Sequence, residues 1–425
     1  MDSDVNRLIL HFHPDRNDNL KPSQKYSMGK KTCQFTLPVG ISPKSIHPDH
    51  IGLVAIMLCA PFANGILELP LPISGRFQEA TRVLSRFKVG PSDSGVEPYI
   101  PSEISRPALS FSGGVDSMAA LALMPEETVC VFLEREMKKK SLYNKDAPLR
   151  ICKELSDLGR EIFVIPSDLE YLRDPVGFPV DVANSAPAVL ISELMDFNSI
   201  GFGTILESAY GIGHERYRHY PDGNHFTTWG TLFRGAGIPL NLVVAGLSEV
   251  CTSDLMIRHP LGELAQSCIR GDWGNPCKNC WKCFRKIMLD KVLRGEILED
   301  ELLDELFEIK EALHFLSMSP IKHENILTWI SSRYEGSHEK MVLMKRRVRG
   351  ENMSLNWLER WNADSIEVVH ESCRDSLLKG ISENFQIMDR EMKNEMMSWD
   401  MADFLESSKY SVIYDDFNSR INRFD

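Results

Sequence analysis

Leu109-Ser110-Phe111-Ser112-Gly113-Gly114-Val115-Asp116-Ser117 decides how the rest of the chain is read. The motif SGGxDS follows a short apolar run and precedes an alanine- and leucine-rich run at 118–124. That order predicts a strand, a glycine turn and then a helix. The first amides of such a helix point at the turn, and the helix dipole makes the place anion-seeking. Gly113 and Gly114 let the backbone approach a phosphate and accept positive φ. Ser112 and Ser117 add hydroxyl donors, and Asp116 makes chemical sense beside a polyphosphate when Mg2+ bridges the two. The plainer alternative is an ordinary strand-to-helix turn, because Ser, Gly and Asp suit turns and caps in general. The spacing differs from that of a GxxxxGK[ST] phosphate loop.

Outward from this turn the pattern alternates. Candidate strands fall at 108–111, 128–133, 161–165, 199–204 and 240–244, with helical stretches such as 149–158 and 186–197 between them. Such alternation predicts an α/β domain, spanning 106–290, with a parallel sheet covered on both faces. Ligands of these sheets bind at the carboxyl ends of the strands, where the turn would lie. Residues 1–105 read as a small mixed α+β module, with strands at 7–13, 32–38 and 65–70 and helices at 48–60 and 76–87. The proline-containing stretch 89–107 reads as a linker. Residues 291–425 read as a helical domain, with apolar periodicity at 297–316, 365–378 and 385–404. Met388, Met392, Met396, Met397 and Trp399 read as core or as a face for a partner.

Sixty acidic residues against 48 basic give a net charge of -12, which argues against a broad nucleic-acid surface. The polar start resembles no secretory peptide, and no apolar run approaches the ~20 residues of a membrane span. A cytoplasmic protein is expected.

Four of the ten cysteines, Cys268, Cys277, Cys280 and Cys283, follow C-x8-C-x2-C-x2-C. Thiolates at this density bind zinc tetrahedrally, and four protein ligands make the site structural. An iron–sulfur cluster uses the same ligand type. Cys33, Cys59, Cys130, Cys152, Cys251 and Cys373 are scattered, which fits a reducing compartment better than a disulfide framework. His214, His219 and His225, with Glu215 and Asp222, suggest a second metal site, a lid or a solvated loop. Lys138-Lys139-Lys140 and the basic run 345–349 read as solvated faces.

The turn resembles the pyrophosphatase loop of the N-type ATP pyrophosphatases. Turn and cysteine array together resemble the 7-cyano-7-deazaguanine synthase (QueC) family over about residues 108–289. Smaller fragments agree: Tyr220-Pro221-Asp222, Gly246-Leu247-Ser248-Glu249, Ser267-Cys268 and Arg285. There are departures. Leu133-Glu134-Arg135-Glu136 replaces an aromatic-glycine-glutamine tract, Ala183-Asn184 an arginine-asparagine pair, and Gly223 a cysteine; residues 211–219 are inserted.

The resemblance implies a Rossmann-like sheet and three cofactors: ATP, Mg2+ and Zn2+. Ser112, Gly113, Gly114, Val115, Asp116 and Ser117 would hold ATP's leaving pyrophosphate, with Asp116 and Ser117 catalytic. Asn184, Tyr220, Asp222 and Arg285 would contact the substrate, and the four cysteines the metal. The implied reaction adenylates the carboxylate of 7-carboxy-7-deazaguanine and passes the acyl group to an amine. The long extensions resemble an enlarged branch found in bacterial anti-phage defence, where the amine belongs to a partner protein. The alternatives are nitrile synthesis from ammonia, tRNA sulfuration, and a non-enzymatic nucleotide-bound adaptor.

Overall fold

The structure, a computed structural model, describes residues 2–4, 6–13, 26–137, 143–213 and 216–421. Lys138-Lys139-Lys140, His214 and Glu215 therefore lie outside the described residues. The strands in chain order are β1 (Asp2–Asp4), β2 (Arg7–His11), β3 (Ser27–Met28), β4 (Thr32–Thr36), β5 (Gly65–Ile73), β6 (Phe87–Ser92), β7 (Arg106–Phe111), β8 (Val129–Arg135), β9 (Ile162–Ser167), β10 (Arg173–Asp174), β11 (Phe197–Gly201) and β12 (Leu240–Asn241).

Eight of them form one sheet in the order β1-β2-β4-β9-β8-β7-β11-β12. The run β9-β8-β7-β11-β12 is parallel throughout, whereas β4 joins β9 antiparallel and β1, β2 and β4 pair antiparallel. The chain passes from β7 outward through β8 and β9 on one side, then crosses to β11 and β12 on the other. The direction of winding thus reverses at β7, which creates a switch point between β7 and β11.

Alternation along the strands explains why the sheet is buried on both faces. Ala108, Val129, Val131 and Leu133 enter one core, while Leu109, Phe111, Cys130 and Phe132 enter the other. The first core is covered by the helices Pro48–Cys59 and Ala186–Ile191. The second is covered by Val115–Leu123, Glu249–Arg258 and Glu371–Asn384. Each flanking region therefore supplies part of the sheet or its cover, and the divides near residues 105 and 290 interrupt neither. Asn241 at the end of β12 accepts the His370 N–H at 3.0 Å and donates to Cys373 Sγ at 3.1 Å, fixing the helix Glu371–Asn384 to the sheet.

Several sequence expectations need correction. Residues 76–87 do not form one helix: Gly75–Ala80 is helical, Thr81–Val83 a single tight turn, and Phe87 already opens β6. The stretch 89–107 is not only a linker, because Phe87–Ser92 pairs in parallel with β5 and Arg106 opens β7. The helix at 186–197 stops at Ile191, and Phe197 starts β11. Residues 297–316 break into Asp300–Phe307 and Lys310–Leu316, and 385–404 into Arg390–Met397 and Ala402–Leu405. Met388, Met396 and Trp399 are buried in the core, which leaves them no free face for a partner.

The C-terminal region also reaches the inserted segment. Gly213 O accepts the Glu324 N–H at 2.7 Å, the Tyr217 N–H bonds Trp399 O at 2.8 Å, and the backbone of Arg216 pairs antiparallel with that of Asp400. Glu324 and Arg347 are both buried and lie 3.9 Å apart, beneath Arg349, Tyr410 and Tyr414. No helix among the described residues is long and apolar enough to cross a membrane.

Candidate functional site

β7 ends at Phe111, the chain turns through Ser112-Gly113-Gly114, and the helix Val115–Leu123 begins. Gly113 has φ +74, in the left-handed region that favours glycine. Gly114 is the N-cap and contributes no side-chain cap, so the first helical amides have no side-chain acceptor. Ser112 Oγ and Ser117 Oγ lie 3.0 Å apart, and Ser117 Oγ also donates to Gly114 O at 3.0 Å. The loop after β11 presses on this turn: a Cβ on Gly203 would meet Ser117 N at 2.8 Å. Asp116 accepts the Thr252 hydroxyl on Oδ1 at 2.8 Å, which ties it to the helix Glu249–Arg258. Ser248 caps that helix by accepting from the amides of Val250 and Cys251, both at 3.1 Å.

The turn forms one wall of a cavity of about 870 Å³. Ser112, Gly114, Asp116 and Ser117 line it, as do Asn184, Tyr220, Asp222 and Lys282. The sequence-predicted turn and three of the four predicted substrate residues thus meet at one place. Asn184 Oδ1 is buried with no hydrogen-bond partner, and Asn184 also borders a second, narrower cavity of about 120 Å³. Phe132, Tyr143, Phe178 and Arg135 line that slot, with the Arg135 guanidinium 4.1 Å from the Tyr143 ring centre. At the rim of the larger cavity, Tyr220 OH lies 2.9 Å from His225 Nδ1, and His225 Nε2 lies 2.8 Å from Asp181 Oδ2. His219 sits between Asp222, at 2.9 Å, and Glu367, at 3.2 Å.

Arg285 does not reach the cavity. It is buried, with Nη1 2.5 Å from Glu249 Oε2, and Lys286 lies 3.2 Å from the same carboxylate. Burial pushes the Glu249 carboxyl up, but the Arg285 and Lys286 charges outweigh it and hold the group well below the usual carboxylate range. Glu207 behaves oppositely. Burial and the neighbouring Glu249 charge push it up to about 8, so it is mostly protonated at neutral pH while accepting the Glu249 N–H and the Asn325 amide.

The cysteine loop closes the far side. The four Sγ atoms lie within 4.8 Å of one another, and Cys277 Sγ and Cys283 Sγ are 3.8 Å apart. A tetrahedral ion with bonds of ~2.3 Å requires a sulfur–sulfur edge of ~3.8 Å, so a single zinc fits the donor set. A multi-iron cluster needs its thiolates spread farther apart. Among the described residues this is the only assembled group of metal-binding side chains; His219, His225 and Asp222 form no such group with one another, and His214 and Glu215 lie outside the described residues. The Cys277 N–H donates to Cys268 Sγ at 3.3 Å, as metal-bound sulfurs commonly require. Gln266 joins the loop to the turn: its N–H bonds Gly113 O at 3.0 Å, while its side chain holds Cys268 O, Asp272 O and the Gly274 N–H.

Lys282 was missed by the sequence reading. It lies between Cys280 and Cys283, on the first turn of the helix Trp281–Leu293. Its spacing against those ligands was the available signal, since metal binding there fixes the direction of the residues between. Thr252 and Asp181 carried no such signal, because tertiary packing alone brings them to the cavity.

The model of a family of unknown function (DUF6395) matches residues 228–400, under half of the chain, taking in the cysteine loop and most of the C-terminal helices but not the turn. No curated protein and no solved structure matches the chain.

Proposed function

We propose that the chain is an ATP-dependent enzyme, forming AMP and pyrophosphate, that adenylates the carboxylate of a 7-carboxy-7-deazaguanine and transfers the acyl group to an amine. The observation that carries this reading is the SGGVDS turn with its uncapped helix, set at the reversal of the sheet and opening onto the large cavity. The order β9-β8-β7-β11-β12 is that of doubly wound nucleotide-binding sheets, in which phosphates sit at this place.

In this reading the narrow slot takes a flat purine and the wide polar cavity takes the acid. Ser112, Ser117 and the amides of Gly113 to Asp116 bind the β- and γ-phosphates. Asp116, steadied by Thr252, would hold Mg2+, which would neutralise phosphate charge when bound. The carboxylate oxygen of the acid attacks the α-phosphorus, the bond to the bridging oxygen breaks, and pyrophosphate leaves with that electron pair. Asn184, whose acceptor is otherwise unanswered, meets a donor edge of the deazaguanine. Zinc on the four thiolates would supply structure, not chemistry.

We read the amine as belonging to a partner protein, because the inserted segment that forms the rim is held by the C-terminal region and is not needed for ammonia. The test is direct: incubate the protein with ATP, Mg2+ and the deazaguanine acid, and measure AMP. Acid-dependent AMP supports the reading; AMP formation indifferent to the acid counts against it. Mass addition on co-expressed proteins, set against nitrile formation from ammonia, decides the acceptor.

A further inference from the structure

Lys282 is a half-buried cation of the cavity that has nothing to hold, whereas Arg218, which also lines it, is exposed. Among the described residues its ammonium has no hydrogen-bond or ion-pair partner, although it is half-buried and lines the cavity beside Asp116 and Ser117. Its neighbours on the same helix are ion-paired: Arg285 and Lys286 share Glu249, and Lys286 also donates to Ser253 at 2.8 Å. Glu249 is therefore already committed to two cations, and Asp116 Oδ1 to Thr252. A cation held partly out of bulk water without a direct ion pair is costly, and chains retain such groups where a ligand completes them. The position is also built. The helix Trp281–Leu293 begins at Cys280, whose sulfur accepts the Cys283 N–H, so two of the four metal-site thiols bracket Lys282. Gln266 fixes the same loop to Gly113.

The geometry points to Lys282 as the phosphate-binding side chain opposite the turn, placed by the cysteine loop to stabilise the negative charge that pyrophosphate carries away. The inference rests on the adenylation reading above. The lysine transfers no proton: it donates hydrogen bonds and charge to phosphate oxygens as the bond from the α-phosphorus to the bridging oxygen breaks and that oxygen takes the electron pair. A flexible point charge suits an oxygen whose charge grows during the step.

The experiment uses the full chain with Lys282→Met and Lys282→Arg. Calorimetry measures binding of inorganic pyrophosphate and of ATP with Mg2+, and label exchange between pyrophosphate and ATP measures turnover. Lys282→Met should weaken pyrophosphate binding ~10–100-fold, the worth of one charge-assisted hydrogen bond. It should slow exchange ~10²–10³-fold, with Lys282→Arg restoring part of both. Zinc content should not change, and the melting temperature should stay level or rise, because an unpaired cation has been removed. Pyrophosphate affinity within ~2-fold of the parent overturns the proposal and leaves the adenylation reading standing. So does a loss of binding that follows a fall in zinc content or melting temperature and is not restored by arginine. A parent protein that binds neither pyrophosphate nor ATP removes the adenylation reading itself, and the proposal with it.

Discussion

The turn at 112–117 and the cysteine loop at 268–283 face the same cavity but are held by different forces. The turn hangs between a buried central strand and a helix, so its shape follows from backbone hydrogen bonding and apolar burial on both sides. The cysteine loop has almost no regular structure before Trp281; its shape rests on sulfur contacts and on Gln266. A site assembled from both combines a rigid anion cradle with a wall whose position depends on a metal. The comparison predicts that perturbing the loop costs stability first, whereas perturbing the turn costs chemistry first.

The largest effect should follow removal of a metal ligand. Cys280→Ser should abolish zinc retention and unfold the loop locally, since structural zinc in small sites contributes ~10–16 kcal/mol of apparent binding free energy. Elemental analysis and amide exchange around Trp281 check this, with amides of β7 and β8 staying protected. If β7 loses protection equally, the two regions are not separable as argued. Asp116→Ala should instead leave zinc and melting temperature in place while acid-dependent AMP formation falls ~10²–10³-fold. Unchanged AMP formation by this variant would remove the turn from the chemistry.

Gln266→Ala addresses the join between the regions. It leaves the backbone bond to Gly113 and deletes the side-chain bonds to Cys268 O, Asp272 O and the Gly274 N–H. A loss of about 1–3 kcal/mol is expected, with KM for ATP rising more than kcat falls. Equal loss in both would place the residue in the reaction itself.

The smallest effect concerns pH. Glu207 has its folded pKa raised to about 8, above the ordinary 4.5. The folded state therefore holds the extra proton between those values, and this contribution to stability declines as pH rises through that window. Glu249 has the opposite sign: its folded pKa is depressed, so its contribution is present above the ordinary carboxylate range and declines as the medium becomes acidic. Melting temperature should therefore fall as pH rises from the ordinary 4.5 towards about 8 and level off above it, and Glu207→Gln should flatten that fall ~several-fold. A parallel fall in both proteins would show that another group is responsible.

How much of this was legible in the sequence follows the same division. The parallel strands, the turn and the cysteine quartet were readable, because strand alternation, glycine placement and ligand spacing are local. Phe87–Ser92 was misread because prolines and glycines mark a loop unless a remote partner, here β5, supplies the pairing. Arg285 was assigned to the substrate by resemblance, and no local signal reveals that Glu249, 36 residues earlier in the chain, claims it. The tail looked separable because its periodicity is self-contained. Its contacts with Asn241 and with the segment 213–217 are tertiary, so deleting residues 291–425 would remove one of the three helices on that face of the sheet as well as the support of the rim.

The central claim is that the turn and the cysteine loop together form an adenylation site. Exchange of labelled pyrophosphate into ATP by the full chain, with Mg2+, tests it most directly, because it requires reversible attack by the acid and needs no amine acceptor. The account predicts exchange that appears only when 7-carboxy-7-deazaguanine is added and disappears in Asp116→Ala. No exchange with the acid from zinc-loaded protein that still binds ATP would contradict it.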